Sequence, residues 1–444
     1  MYAIIGAGPM GLCSARQLQR YGIPFIGFEL NGDVGGLWDI DNPHSTMYDS
    51  AHLISSKHTT EFSEFPMAAD VAPYPHHSEM RRYFRDYARH FDLYKHYRFN
   101  TRVLHLERLE RGWKLISEQD GQRREGIFDG VLIANGTLHA PNRPALPGRF
   151  DGELLHSADY RSAERFDGKR VLVVGCGNSA CDIAVDAVHR ARSVDLSVRR
   201  GYYFLPKFLL GRPIDTFGGA VKLPRRLKQL VDGLLVRALI GKPSDYGLPD
   251  PHYKLYESHP VVNSLVLHHL GHGDITPRPD ITLVEGRRVT FSDGRQAEYD
   301  LILQATGYKL DYPFIDRAEL NWPERAGAPQ LYLNIFHPAY DDLFMMGMVE
   351  ASGLGWQGRA EQAELVALYI RQQQARSAQA ARFRALKAER ASQRLDGGYT
   401  YLELERMAYY VHKDSYRNQV KRHIAELRQG LAAGAPADAT QSLA

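Results

Sequence analysis

Cysteine is scarce. The chain has three in 444 residues, Cys13, Cys176 and Cys181, and none forms a Cys-x-x-Cys pair. That excludes a disulfide framework and a dithiol redox centre, and it suits a reducing cytoplasm. Long hydrophobic runs are missing too. No apolar stretch approaches the roughly 20 residues that cross a bilayer, and the first apolar strand starts within a few residues of Met1, which leaves no room for a cleaved signal. A soluble, cytoplasmic protein without membrane contact is expected. Neither sign of charge dominates, with 55 basic against 52 acidic side chains and a formal net charge of +3. The chain therefore lacks a nucleic-acid footprint, and no zinc-finger, helix-turn-helix or RNA-binding signature replaces it. A Gly-x-Ser-x-Gly elbow is also absent, so a hydrolase has no nucleophile to stand on. His268, His269 and His272 lie close together, but Gly271 breaks their helix and no partner ligands accompany them, so no metal site is expected. His76-His77 reads as loop surface.

What the chain does have, it has twice. Ala3-Ile4-Ile5 runs into Gly6-Ala7-Gly8-Pro9-Met10-Gly11, and Val171-Leu172-Val173-Val174 runs into Gly175-Cys176-Gly177-Asn178-Ser179-Ala180. A Gly-x-Gly-x-x-Gly/Ala turn lets the backbone approach a pyrophosphate, while the following helix directs free N–H groups and a partial positive charge at it. Leu12, Ala15 and Leu18 recur at helical spacing after the first turn, and Ile183, Ala184 and Ala187 after the second. Two nucleotides in one protein are implied.

The ends of the next strands assign them. Phe25-Ile26-Gly27-Phe28 ends on Glu29, whereas Val194 to Val198 ends on Arg199-Arg200. A carboxylate accepts hydrogen bonds from a free ribose 2′-hydroxyl, and a guanidinium pair holds a 2′-phosphate. The first site thus suits FAD and the second NADPH. The repeat continues: each unit is followed by apolar runs around a hairpin signal, Asp120-Gly121 or Asp293-Gly294, and then by a strand ending in Ala134-Asn135-Gly136 or Ala305-Thr306-Gly307. The expected fold is α/β, with two Rossmann-like dinucleotide-binding domains, each carrying an antiparallel β-meander, arranged as in disulfide reductases. The FAD domain would comprise residues 1–150 and 305–444, with the NADPH domain, 151–304, inserted between them.

Several further stretches resemble the flavin-containing monooxygenases. Gly35-Gly36-Leu37-Trp38 is similar to that family's second FAD loop, and Phe62-Ser63-Glu64-Phe65-Pro66 to its Phe-Ser-Asp-Phe-Pro stretch. Phe150, Gly152, His156 and Tyr160 match its Phe-x-Gly-x3-His-x3-Tyr/Phe-Lys identifier, with Arg161 in place of lysine. Ala305-Thr306-Gly307-Tyr308 and Trp356-Gln357-Gly358-Arg359 extend the likeness to about residue 370. The resemblance implies an NADPH-dependent FAD monooxygenase that forms a C4a-(hydro)peroxyflavin and oxygenates soft nitrogen or sulfur nucleophiles, with oxygen and a small molecule as its partners. Baeyer-Villiger oxidation of ketones is the nearest alternative, and Tyr160, where those enzymes usually carry tryptophan, speaks against it.

Among cofactor contacts the resemblance implies Gly36, Leu37, Trp38, Thr306, Gly307 and Gln357, alongside the two glycine turns. For catalysis it points to Ser55, Ser56 and Lys57. It also exposes a departure, because an ungapped match puts Ile54 where the family has an asparagine that helps position the nicotinamide and the oxygen adduct. Isoleucine donates no hydrogen bond. Either Ser55, Ser56 or His58 substitutes, or the enzyme leaks peroxide as an NADPH oxidase. His156 reads as a structural histidine fixing the interdomain linker.

The remaining segments carry less. The amphipathic stretch 223–239, with Arg225, Arg226, Lys228 and Arg237, reads as a helix packed on the NADPH domain. Helices at 364–374 and 378–393 suit the surface of the FAD domain or a subunit contact, which leaves a homo-oligomer open. The alanine-rich tail after Gly430 has no periodicity.

Overall fold

Alternation of apolar side chains along two short strands sets the architecture. In the computed structural model, which describes residues 1–217 and 223–429, Tyr2–Ile5 sends Ile4 to one core and Ala3 and Ile5 to another. Val171 and Val173 likewise face one core while Leu172 faces a second. Strands buried on both faces are what parallel sheets require.

The two sheets share one topology. The first runs Leu343–Met345, Gly130–Ile133, Tyr2–Ile5, Phe25–Phe28, Tyr97–Arg98, all parallel. The second runs Glu153–His156, Leu301–Gln304, Arg170–Val174, Ser193–Ser197, Ile275–Arg278, also all parallel. In each, the strand that enters the glycine turn is central, between the strand that follows its helix and the strand that ends in Ala-x-Gly. Helices cover one face and an antiparallel meander the other. Arg102–Arg108, Trp113–Gln119 and Gln122–Phe128 form the first meander, and Ile281–Gly286, Arg288–Phe291 and Gln296–Glu298 the second. The two crossings of chain between the sheets pair with each other, Ala140–Pro141 against Tyr308–Lys309.

Several expectations are corrected. The helix expected at 364–374 begins at Gly355 and is among the most buried elements rather than a surface one. Its alanines let it lie between Pro9–Arg20 and Lys413–Arg428, and buried Gln362 bonds to the Tyr416 hydroxyl. His77 is buried at the start of the helix His77–His90, which the His76 ring caps by accepting from Ser78 N. Gly271 lies inside the helix Leu265–His272, which ends instead at Gly273 in the left-handed conformation. Most telling, the helix Arg225–Ile240 has no buried residue. Leu230 and Leu234 are 59% and 60% exposed, so its apolar stripe faces outward rather than into a core. The tail after Gly430 lies outside the described residues.

Candidate functional site

The two turns are built alike. A Cβ on Gly6 would lie 2.6 Å from the carbonyl oxygen of Ala134, and one on Gly175 would lie 2.5 Å from that of Ala305. Both glycines have positive φ, 105° and 121°, so the turn and the Ala-x-Gly strand beside it admit no side chain at either point. The helices Pro9–Arg20 and Asn178–Val188 start directly after Gly8 and Gly177, neither with a side-chain cap nor with an acidic residue in the first turn. Their first N–H groups are therefore left for a ligand. A Cβ on Gly177 meets nothing within 4 Å, and one on Gly8 meets first the Gly36 Cα, at 3.6 Å. This open, side-chain-free backbone at two helix N-termini fits the diphosphates of two dinucleotides. Pro9, Met10 and Gly11 form the first helical turn, and Met10 is buried against Gly347. Asn178 is occupied, its side-chain oxygen accepting from Val262 N at 2.8 Å. Ser179 follows it, and Ala180 is fully buried.

Beyond the turns the sites diverge as their charges suggest. Glu29 is buried, with one carboxylate oxygen 2.6 Å from Ala7 N inside the turn and the other accepting from Asn31. Burial raises its pKa, against these bonds that favour the charged form. Arg199 is exposed at the second strand's end, and Arg200 stacks over Tyr202, donating to its hydroxyl at 3.0 Å. Among the described residues neither guanidinium has a carboxylate partner.

Of the segments named by resemblance, Gly36–Trp38 lies against the first turn with Trp356 beside it, while Thr306 and Gly307 follow Ala305 at the second. Gly36–Trp38 is a 3-10 turn packed on Gly8, and the Trp38 ring meets Trp356 edge-on at 6.3 Å. Leu37 O accepts from Ser45 Oγ. Gln357, in the first turn of Gly355–Gln374, accepts from Ser63 N at 3.0 Å. Thr306 Oγ1 donates to Asn142 O at 2.6 Å, and Asn142 N to Gly307 O, which locks the chain crossing.

Ser55, Ser56 and Lys57 lie at the short helix Lys57–Thr60, against Gly355. Their side chains are engaged. Ser55 Oγ is 2.7 Å from Thr60 Oγ1, and buried Lys57 donates to the carbonyls of Ala68, Ala69 and Val71. Lys57 thereby anchors the loop that follows. Ser56 N donates to Asp215 Oδ2 at 2.6 Å, and Thr59 Oγ1 lies 2.5 Å from the same oxygen. Asp215 is a residue that sequence reasoning missed, and its partner is 159 positions away.

The identifier stretch forms the junction between the halves. Arg161 donates to the carbonyls of Ser45, Met47, Ala158 and Tyr160. Tyr160 is buried in the second core, stacked on Phe166 and donating to Asp186 at 3.0 Å. Its ring and hydroxyl are therefore both engaged inside the second half. His156 is fully buried, and its Nδ1 accepts from Ala158 N at 3.0 Å. Burial and the Arg143 charge lower its pKa, so the ring is neutral. Tyr48 and Ala51, early in the chain, pack in the second core, where Tyr48 donates to Asp182 and Ser50 to Asp186. Nothing local in the sequence signals these pairs.

Two parallel sheets with matching glycine turns, one ending on a buried glutamate and the other on paired arginines, define an oxidoreductase of the two-dinucleotide class. The flavin-binding monooxygenase-like family matches residues 1–411, and the chain belongs to that family. Flavin-containing monooxygenase 2 of Homo sapiens is 30% identical over 374 residues, 79% of this chain and 69% of that protein. Among solved structures, S-allyl-L-cysteine S-oxygenase from Allium sativum aligns with TM-score 0.61 at 20% identity, covering 96% of this chain and 97% of that one. An open form of cyclohexanone monooxygenase aligns with TM-score 0.71 at 18% identity, covering 96% of each chain.

Proposed function

We propose that this protein is an NADPH-dependent FAD monooxygenase acting on soft nitrogen or sulfur nucleophiles. FAD is held by residues 1–150 and 305–444, and NADPH by 151–304. The observation that carries the reading is the pair of equivalent turns whose next strands end on Glu29 and on Arg199-Arg200, within a family match spanning residues 1–411. Bound FAD and NADPH supply two electrons and the activation of dioxygen, one atom of which goes to the substrate lone pair and the other to water. The chain's own residues hold and shield. Glu29 takes the flavin nucleotide's ribose hydroxyl, Arg199 and Arg200 take the 2′-phosphate, and Trp38 against Trp356 keeps water from the flavin side. Ser55, Ser56 and Lys57 fix the backbone facing the reacting ring. The three free cysteines are all buried, which supports a cytoplasmic setting, and the outward apolar face of Arg225–Ile240 is the surface on which a second copy would pack.

Peroxide release is the second reading, and a specific observation favours it. Ile54 offers no donor, and the hydroxyls beside it are turned to Thr60 and Thr59. The test is to follow NADPH consumption with N,N-dimethylaniline, thioanisole or cyclohexanone, measuring organic product and hydrogen peroxide together. N-oxide or sulfoxide matching most of the NADPH supports the proposal. Lactone as the main product moves it to Baeyer-Villiger chemistry, and stoichiometric peroxide with every substrate makes the protein an oxidase.

A further inference from the structure

The two arginines at the end of the second strand are not equivalent. Arg199 is exposed, whereas Arg200 is half-buried and held: its Nε donates to Tyr202 Oη at 3.0 Å, with the guanidinium carbon 5.1 Å from the centroid of the Tyr202 ring. Tyr202 is itself fixed. Its ring packs against the second core, and the chain is pinned on both sides of it. A Cβ on Gly201 would lie 2.2 Å from the carbonyl carbon of Asp250, so the backbone there rests directly on Asp250 and Pro251. On the other side the Tyr203 hydroxyl donates to Tyr253 O at 2.9 Å, and Phe204 is buried and bridges to Val261.

The position of this pair gives it a ligand to act on. Gly175 N, in the second glycine turn, donates to Ser197 O at 3.0 Å, so Arg200 lies only three residues beyond the point where the strand is bonded to that turn. A guanidinium carries five N–H groups in one plane and grips a phosphate with two parallel ones. With Nε taken by Tyr202, the edge formed by Nη1 and Nη2 remains for that grip. A free arginine loses many rotamers when it closes on an anion, and one already held loses few. An uncharged ribose 2′-hydroxyl offers the same edge no anion to close on, so the arrangement discriminates by the extra phosphate.

Resting on the proposed NADPH site, we propose that Tyr202 is a specificity-determining residue whose hydroxyl positions Arg200 before the cofactor arrives. Arg200 then reads the 2′-phosphate, while exposed Arg199 adds charge without a fixed direction. Tyr202 is a positioning residue that acts through Arg200, and the selection of NADP(H) over NAD(H) depends on both.

Tyr202→Phe keeps the ring against the guanidinium and removes only the hydroxyl. The FAD-loaded full-length protein is titrated calorimetrically with NADP+ and with NAD+ for wild type, Tyr202→Phe, Arg200→Ala and the double variant. Wild type is expected to bind NADP+ more tightly than NAD+. Tyr202→Phe should lower that preference about fivefold, the effect of having to order one long side chain on binding. The loss should fall on NADP+ alone, with NAD+ binding as in wild type. On the Arg200→Ala background the same substitution should change neither ligand. An undiminished preference in Tyr202→Phe overturns the proposal, and so does a parallel loss for both ligands, which marks a merely structural tyrosine. An equal loss of preference on the Arg200→Ala background overturns it as well, since the hydroxyl would then act without Arg200. If wild type binds NAD+ as tightly as NADP+, the NADPH assignment itself fails and the proposal falls with it.

Discussion

A buried histidine far from either turn shows how single residues couple this fold to pH. His337 accepts two backbone N–H bonds at Nδ1, from Ala339 at 3.1 Å and Tyr340 at 2.9 Å, and stacks on the Tyr340 ring. Burial and the neighbouring Lys387 and Arg108 charges push its pKa down to about 4. An unfolded histidine protonates near 6.5, so below that pH the unfolded chain binds a proton that the folded one refuses. Stability is therefore lost as pH falls from about 6.5 toward about 4. At about 1.4 kcal/mol per unit, the loss between pH 7 and pH 5 reaches about 2 kcal/mol. His337→Asn keeps an acceptor for the two N–H groups and cannot protonate. Urea unfolding of both proteins at the two pH values should show a smaller loss in the variant by about that amount, and equal losses would refute the assignment. Nothing in Phe336-His337-Pro338 announces this role, because the charges that create it come from Arg108 and Lys387. Glu29 was legible for the opposite reason: its partner Ala7 N belongs to the same strand-turn-helix-strand unit.

At the level of elements, legibility follows the distance over which a pattern acts. Both glycine turns, their strands and both meanders could be read in the sequence, because each is specified by alternation and turn residues within about ten positions. The helix Gly355–Gln374 was read short and too exposed, since Gly355 and Gly358 hide its first turn and buried Gln362 and Gln372 imitate a surface face. The opposite error occurred at Arg225–Ile240, where Leu227, Leu230, Val231, Leu234, Leu235 and Leu239 form an apolar stripe that suggests a core and faces none among the described residues. An amphipathic period states that a face seeks cover but not that the same chain supplies it. The consequence is measurable. Replacing both Leu230 and Leu234 by glutamate should leave monomer stability within about 1 kcal/mol, as for exposed sites in general. A packed helix would instead lose several kcal/mol for two buried leucines. Thermal unfolding decides between them, and sedimentation of the same variant reads whether self-association was using that face.

For the whole molecule, the important quantity is how firmly two similar sheets are held in register, since cofactors seated on different halves must meet. The junction is polar and runs both ways: Tyr48 and Ser50 of the first half donate to Asp182 and Asp186, four residues apart on the helix that follows the second glycine turn, while Arg161 of the second half donates back to the carbonyls of Ser45 and Met47. Burial raises the pKa of both carboxyls, so each is retained at an energetic cost that its hydrogen bonds offset. Asp186 takes Ser50 Oγ at 2.5 Å from one side and Tyr160 Oη at 3.0 Å from the other, both on Oδ2. Asp186→Asn can keep both bonds on its single oxygen, whereas Asp186→Ala leaves a fully buried tyrosine hydroxyl without an acceptor and should destabilise by about 1–3 kcal/mol. The pattern of loss matters more than its size. If this junction couples the halves, calorimetry of Asp186→Ala should resolve two transitions where wild type and Asp186→Asn show one, because each half retains its own core and sheet. A single transition shifted to lower temperature would mean that the paired crossings at Ala140–Pro141 and Tyr308–Lys309 hold the halves together without help from the helix.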